Sequence, residues 1–230
     1  MFRLKETLYV VLASLVIGYV VSLSDFSFEA WGKFSLLGLA ILLTNIIAKK
    51  LVAYYLGCEV EVFPWQIQRF WIYKNSYFKS PVPVWLLWPV FVAWMTAGRI
   101  WWLVVLNFEV LAKKSKISKK FAELTEWELA LIAASGIIAN LIVAAASQAY
   151  GFVEFRNMNL WFVFFNMLPF AGHDGGKIFF GGRFFYVFML TIALAAIILL
   201  NITNIITTVI SSVLIGIIAV SIFYALRRSV

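Results

Sequence analysis

Apolar positions along the chain gather into long runs separated by short polar stretches. Leu8–Leu23 is the first run and ends at Asp25 and Glu29. Phe34–Leu56 is the second, interrupted by the pair Lys49–Lys50. Leu129–Ala149 is rich in Ala and Gly and follows the acids Glu123, Glu126 and Glu128. Leu160–Phe180 is apolar but broken by Pro169 and by Gly172, Gly175 and Gly176. Phe184–Leu200 and Ile205–Leu226 close the series, joined by Asn201–Asn204. Runs of this length match what a bilayer core of about 30 Å demands of a helix. The pattern predicts an all-α polytopic membrane protein with six transmembrane helices, near 8–23, 34–56, 129–149, 160–180, 184–200 and 205–226. They form one membrane domain over 1–230, with no internal repeat and no soluble domain.

The region between the second and third runs reads differently. Cys58–Phe63 alternates polar and apolar residues, which predicts a short strand and so a small cytoplasmic β element. Gln66–Ser80 is mixed and aromatic. Pro81–Val105 is apolar again but carries Pro81, Pro83, Pro89, Gly98 and Arg99. Its prolines make a poor straight span, and a re-entrant or interfacial segment over 81–105 fits better if other protein covers its backbone. Trp85, Trp88, Trp94, Trp101 and Trp102 are expected to anchor that segment at the membrane surface. Residues 107–127 read as a basic cytoplasmic loop, with five lysines in Lys113–Lys120. Anionic lipid is its expected neighbour, and an acidic partner is the alternative.

Composition agrees with lipid as the solvent: 63% of residues are hydrophobic and only 13% charged. The net charge of +8 lies in flanks of apolar runs and not in a basic stripe, so nucleic acid is not an expected partner. With both termini cytoplasmic, the outer loops hold only Lys33 and Arg156 of the 19 basic residues, as the positive-inside rule requires. A full crossing by 81–105 would move the lysine-rich stretch outside. This predicts a multi-pass protein of the cell membrane with the termini and the lysine-rich loop inside. Met1–Leu23 could be a signal peptide, but its run is long and no small-x-small cleavage pattern follows, so a retained first span is expected. The lone cysteine, Cys58, leaves no intrachain disulfide.

Chemistry concentrates in Phe164–Arg183. An Asp within an apolar run is costly unless it is paired or reaches water, which makes Asp174 a functional candidate. Pro169 bends a helix, and the neighbouring glycines permit backbone shapes closed to other residues. A broken helix presenting a carboxylate to a cavity is one reading; a wet loop at a span end is the other.

Asn166, Pro169, Asp174 and Gly175, in the order Asn-x-x-Pro then Asp-Gly, resemble the site-2 protease family of intramembrane zinc metalloproteases. The resemblance covers about Phe34 to Arg183. It implies that family's fold, with Asp174 at the position of a zinc ligand and Asn166 at one that helps bind substrate. Ser135, Gly136 and Asn140 stand where members often read Ala-Gly-Pro-x-x-Asn, with Ile137 in place of the proline. The family's His-Glu-x-x-His motif binds zinc with two histidines one turn apart and activates water with the glutamate. Here those positions read Asn45, Ile46 and Lys49, and the single histidine of the chain is His173. Neither the histidine ligands nor the general base is retained.

The resemblance therefore implies a non-catalytic relative, a pseudoprotease without a metal cofactor. Such a chain would be a subunit or regulator that binds other membrane proteins or transmembrane peptides within membrane lipid. Asn166, Pro169, Gly175 and Asn140 would serve peptide binding or structure. Two alternatives stay open: a metalloprotease with a non-standard site built from Asp174, His173 and Cys58, and a small transporter or channel component built on the broken helix. Losing a dication would leave Asp174 unneutralised. Asn45 and Lys49 share a helix face at i and i+4, so Lys49 is expected to pair with Asp174, with Asn45 hydrogen-bonding nearby. Otherwise Lys49, about 22 Å along its helix from Phe34, snorkels to the inner interface beside Lys50.

Overall fold

The computed structural model describes residues 3–69, 77–112, 125–170 and 172–228. The chain is mostly helical. Four stretches are long and apolar enough to cross a bilayer: Leu4–Asp25, Phe28–Tyr55, Glu126–Ala149 and Ile205–Arg228. They mark it as a membrane protein. The helices are α1 (Leu4–Ser22), α2 (Phe28–Tyr55), α3 (Val84–Met95), α4 (Glu126–Ala149), α5 (Val153–Asn166), α6 (Asp174–Gly181), α7 (Arg183–Leu199) and α8 (Ile205–Arg228). The strands are β1 (Cys58–Pro64), β2 (Ile67–Arg69), β3 (Tyr77–Val82) and β4 (Leu106–Ala112). They form two two-stranded sheets, β1 with β4 and β2 with β3, the latter antiparallel. The lysine cluster of 113–120 lies outside the described residues.

The chain divides into two compact units, Met1–Leu43 with Glu61–Glu109, and Thr44–Val60 with Val110–Val230. In the first, α1 begins with a capping box in which Arg3 N–H donates to Glu6 Oε2 at 2.9 Å. The other Glu6 oxygen accepts from the Val62 backbone N–H at 3.0 Å. This buried acid thus serves a helix start and a strand at once. Val10, Ala13, Ile17, Val20 and Val21 form the buried stripe of α1. Gly18 faces Ser35, where an added Cβ would stand 2.7 Å from the Ser35 backbone nitrogen. Small residues let helix backbones approach closely, which drives packing in lipid where the hydrophobic effect does not.

The proline-rich segment does not run as one helix. α3 has 12 residues, or about 18 Å at 1.5 Å per residue, too short for a bilayer core of about 30 Å. The turn after α3 passes through Ala97 and Gly98, both with positive φ. Gly98 comes so close to Ser24 that a Cβ would lie 2.7 Å from its backbone nitrogen. Trp88 and Trp94 are exposed. Trp102 departs from the sequence expectation: it is buried and stacks on Trp65 with ring centres 6.4 Å apart. The following Leu103, Val104 and Val105 are fully buried. Residues 107–112, expected within the basic loop, instead belong to β4. Their alternation Asn107, Phe108, Glu109, Val110 suits a strand, but its partner β1 is remote in sequence.

In the second unit α4 packs against α5 and α6, α6 against α7, and α7 against α8. A capping box sets the start of α4: Glu128 N–H donates to Thr125 Oγ1 at 3.2 Å, and Thr125 N–H to Glu128 Oε2 at 3.1 Å. Its buried face is mainly Ala, Gly and Ile, so α5 and α6 can come close. The expected span 160–180 is divided between α5 and α6. Pro169 cannot donate into a helix, and Gly172 takes φ +91° in the connecting turn. α7 has 17 residues, at the short end of spanning length.

Candidate functional site

The site lies wholly within the second unit, on α2, α4, α5 and α6. Lys49, on the last turns of α2, is 6% exposed, and Asp174, the first residue of α6, is 3% exposed. Lys49 Nζ stands 2.8 Å from Asp174 Oδ1 and 2.7 Å from Oδ2. The ammonium therefore bridges both carboxylate oxygens. Asp174 has a second source of stabilisation, since the N-terminal end of α6 carries partial positive charge. Its neighbour His173 caps that helix and is fully buried, its ring edge-on to Phe170 at 5.7 Å.

Asn45, one turn before Lys49, turns away from the carboxylate. Its Nδ2 donates to Asn140 Oδ1 at 3.0 Å. Asn140 Nδ2 donates to Asn159 Oδ1 at 2.9 Å, and Asn159 Nδ2 to the Phe155 carbonyl at 2.9 Å. The result is a buried relay of three amides from α2 through α4 to α5. Asn140 and Asn159 are fully buried, and each donor meets an acceptor, as burial requires. Ile46, at the general-base position of the resemblance, is 3% exposed and offers no proton chemistry.

Close backbone approach makes the arrangement geometrically feasible. A Cβ on Gly136 would lie 2.5 Å from Asn45 Nδ2 and 2.7 Å from Lys49 Cε. Gly136 thus leaves the room in which the lysine passes α4. On α6, a Cβ at Gly175 would stand 2.8 Å from the Leu168 carbonyl oxygen and closer still to that of Met167. At Gly176 it would stand 2.5 Å from the Phe170 carbonyl oxygen. The two glycines let the turn after α5 fold onto the start of α6, which fixes where Asp174 begins its helix. Tyr186 Oη secures the same turn by donating to the Met167 carbonyl at 3.0 Å.

Other residues named by the sequence have different surroundings. Asn166 is buried and donates to the Phe162 carbonyl at 3.1 Å in its own helix, so its amide nitrogen is engaged locally. Pro169 is exposed in the turn. Cys58 is buried on β1. Among the described residues no group of three or more His, Cys, Asp and Glu side chains is placed to hold a metal ion. Asp174 could not lend both oxygens to a cation unless Lys49 moved away.

Asn159 and Tyr186 were not singled out by sequence reasoning. Asn159 carried a signal, since it is a polar residue seven positions before Asn166 in apolar surroundings. Tyr186 carried none, because its role depends on a carbonyl freed in a turn. Comparison with protein-family models, curated proteins and solved structures gives no match.

Proposed function

We propose that this chain is a non-catalytic relative of the site-2 proteases, acting as a membrane subunit or regulator that binds other membrane proteins or transmembrane peptides. The observation that carries this reading is the buried Lys49–Asp174 pair, with Nζ 2.8 and 2.7 Å from the two oxygens. A lysine stands where the motif would place a metal-binding histidine, and it neutralises the acid that would otherwise ligate the metal. Asn45 and Asn140 support the same reading, because they join the two helices that carry the family-like marks. The exposed Phe170, whose ring meets His173 next to Asp174, supports a contact by which a partner helix could be recognised. In this reading the chain crosses the membrane six times, α5 with α6 and α7 completing the set.

Restoring the missing groups tests the geometry. The triple variant Asn45→His, Ile46→Glu, Lys49→His should purify with about one zinc ion per chain, whereas the single variant Lys49→His should not. A folded triple variant without zinc removes the basis for the resemblance. The partner role is tested by a photo-cross-linking residue at Phe170 in native membrane. A discrete adduct with one membrane protein is expected, and adducts with lipid alone oppose the reading.

A further inference from the structure

The second unit holds another polar cluster, at the opposite end of α4 from its Thr125 cap. Arg156 of α5 is 8% exposed. Its Nε and Nη2 donate to Asn157 Oδ1 at 3.1 and 2.9 Å, and Nη2 also to Asn201 Oδ1 at 2.9 Å. Nη1 donates to Gln148 Oε1. Every acceptor is a neutral amide, and no carboxylate pairs with this guanidinium among the described residues. Burying a cation without a counter-charge is costly. One N–H on Nη1 remains after these four bonds.

A groove of about 380 Å³ adjoins the cluster, lined by Asn157, Leu160, Trp161, Phe164, Ile197 and Asn201. Asn157, Leu160, Trp161 and Phe164 follow the i, i+3, i+4, i+7 spacing of one helix face. The groove therefore runs along α5 from its N-terminal end. Its polar end is Asn157 with Asn201, both bonded to Arg156, and the rest of its lining is aliphatic and aromatic. The oxygen of Asn157 is taken by Arg156, while its amide nitrogen makes no hydrogen bond among the described residues.

We propose that this groove is a site for one anionic glycerophospholipid. The phosphate sits at the Asn157–Asn201 end, receiving the Asn157 amide beside the buried Arg156 charge, and an acyl chain lies along Leu160, Trp161, Phe164 and Ile197. Two observations select this occupant. The uncompensated positive charge calls for an anion, and the continuous apolar floor beside it calls for a hydrocarbon chain on the same molecule. Basic pockets between membrane helices recognise lipid headgroups by this chemistry. The site is independent of the Lys49–Asp174 centre and of the function proposed for it.

The test uses full-length protein, delipidated in non-ionic detergent, with thermal unfolding as the readout. Phosphatidylglycerol should raise Tm by roughly 5 °C more than phosphatidylcholine of the same chains. Inorganic phosphate should give no comparable gain. The phosphatidylglycerol increment should vanish in Arg156→Gln, which removes the charge, and in Ile197→Phe, which fills the groove and leaves the guanidinium contacts in place. Equal stabilisation by the two lipids overturns the proposal, as does a full gain from inorganic phosphate alone. An increment that survives in Ile197→Phe overturns it too, and that variant decides the matter if Arg156→Gln fails to fold.

Discussion

At the scale of single residues, the energetics of the centre rest on a charge pair that water barely reaches. Removing one member leaves the other buried and uncompensated, which costs about 3–5 kcal/mol, whereas replacing both with apolar groups is often close to neutral. Lys49→Met and Asp174→Leu should therefore each destabilise the protein by about that amount in denaturant unfolding, and the double variant by far less. Additive losses, or single variants as stable as the parent, would contradict the pairing. The amide relay makes a smaller claim. Asn159→Leu strands a donor on Asn140 and should cost about 1–3 kcal/mol. The pairing was legible through the resemblance, which sets Lys49 at a ligand position opposite Asp174, an acid that needs a partner in an apolar run. The amide relay was legible only in part. Asn45 faces Asn140 because α2 and α4 cross there, and no local pattern records that crossing.

At the scale of elements, glycines decide how closely the helices around the centre can approach, and they do not all matter equally. A Cβ at Gly136 would meet the movable ends of Asn45 and Lys49, with contacts of 2.5–2.9 Å. At Gly175 it would meet backbone carbonyls of the turn after α5, including that of Leu168 at 2.8 Å. Side-chain ends can shift, but a turn pinned by Tyr186 cannot shift without moving the start of α6. Gly175→Ala should thus cost about 2–3 kcal/mol, at the upper end for overpacking, and Gly136→Ala clearly less. The reverse order in thermal unfolding would show that the turn is softer than its contacts imply. Long helices such as α4 and α8 were readable from hydropathy alone, because lipid imposes one requirement along their whole length. The break in 160–180 was readable from Pro169 and its glycines. β4 was hidden, since its seven residues abut the lysine-rich stretch and their alternation acquires meaning only beside β1. Trp102 was misread for a related reason: an aromatic in an interfacial-looking segment can equally stack on Trp65, and only the tertiary fold distinguishes the two.

At the scale of the whole molecule, the distribution of charge predicts an orientation that the helices by themselves leave open. Nearly all of the 19 Lys and Arg residues fall on one side if both termini are cytoplasmic. The turn Asn201–Asn204 between α7 and α8 carries none of them. Lys and Arg retained inside set topology more strongly than acids do, so that turn is predicted to lie outside. The same orientation puts the start of α4, which follows the lysine-rich stretch, inside, and the Arg156 cluster near the outer surface. Cysteine labelling measures this directly. Cys58 is buried and can be replaced by Ala, after which single cysteines are placed at Leu4 and Ile202, 90% and 75% exposed. A membrane-impermeant maleimide added to intact cells should label Ile202→Cys and should label Leu4→Cys only after permeabilisation. Labelling of both from outside would mean an even number of crossings between them. The re-entrant reading of 81–105 would then give way to a full crossing, with the N-terminus outside and the lysine-rich stretch still inside. Labelling of Leu4→Cys alone would invert the whole arrangement, carrying the lysine-rich loop and the start of α4 to the outer face against the charge rule.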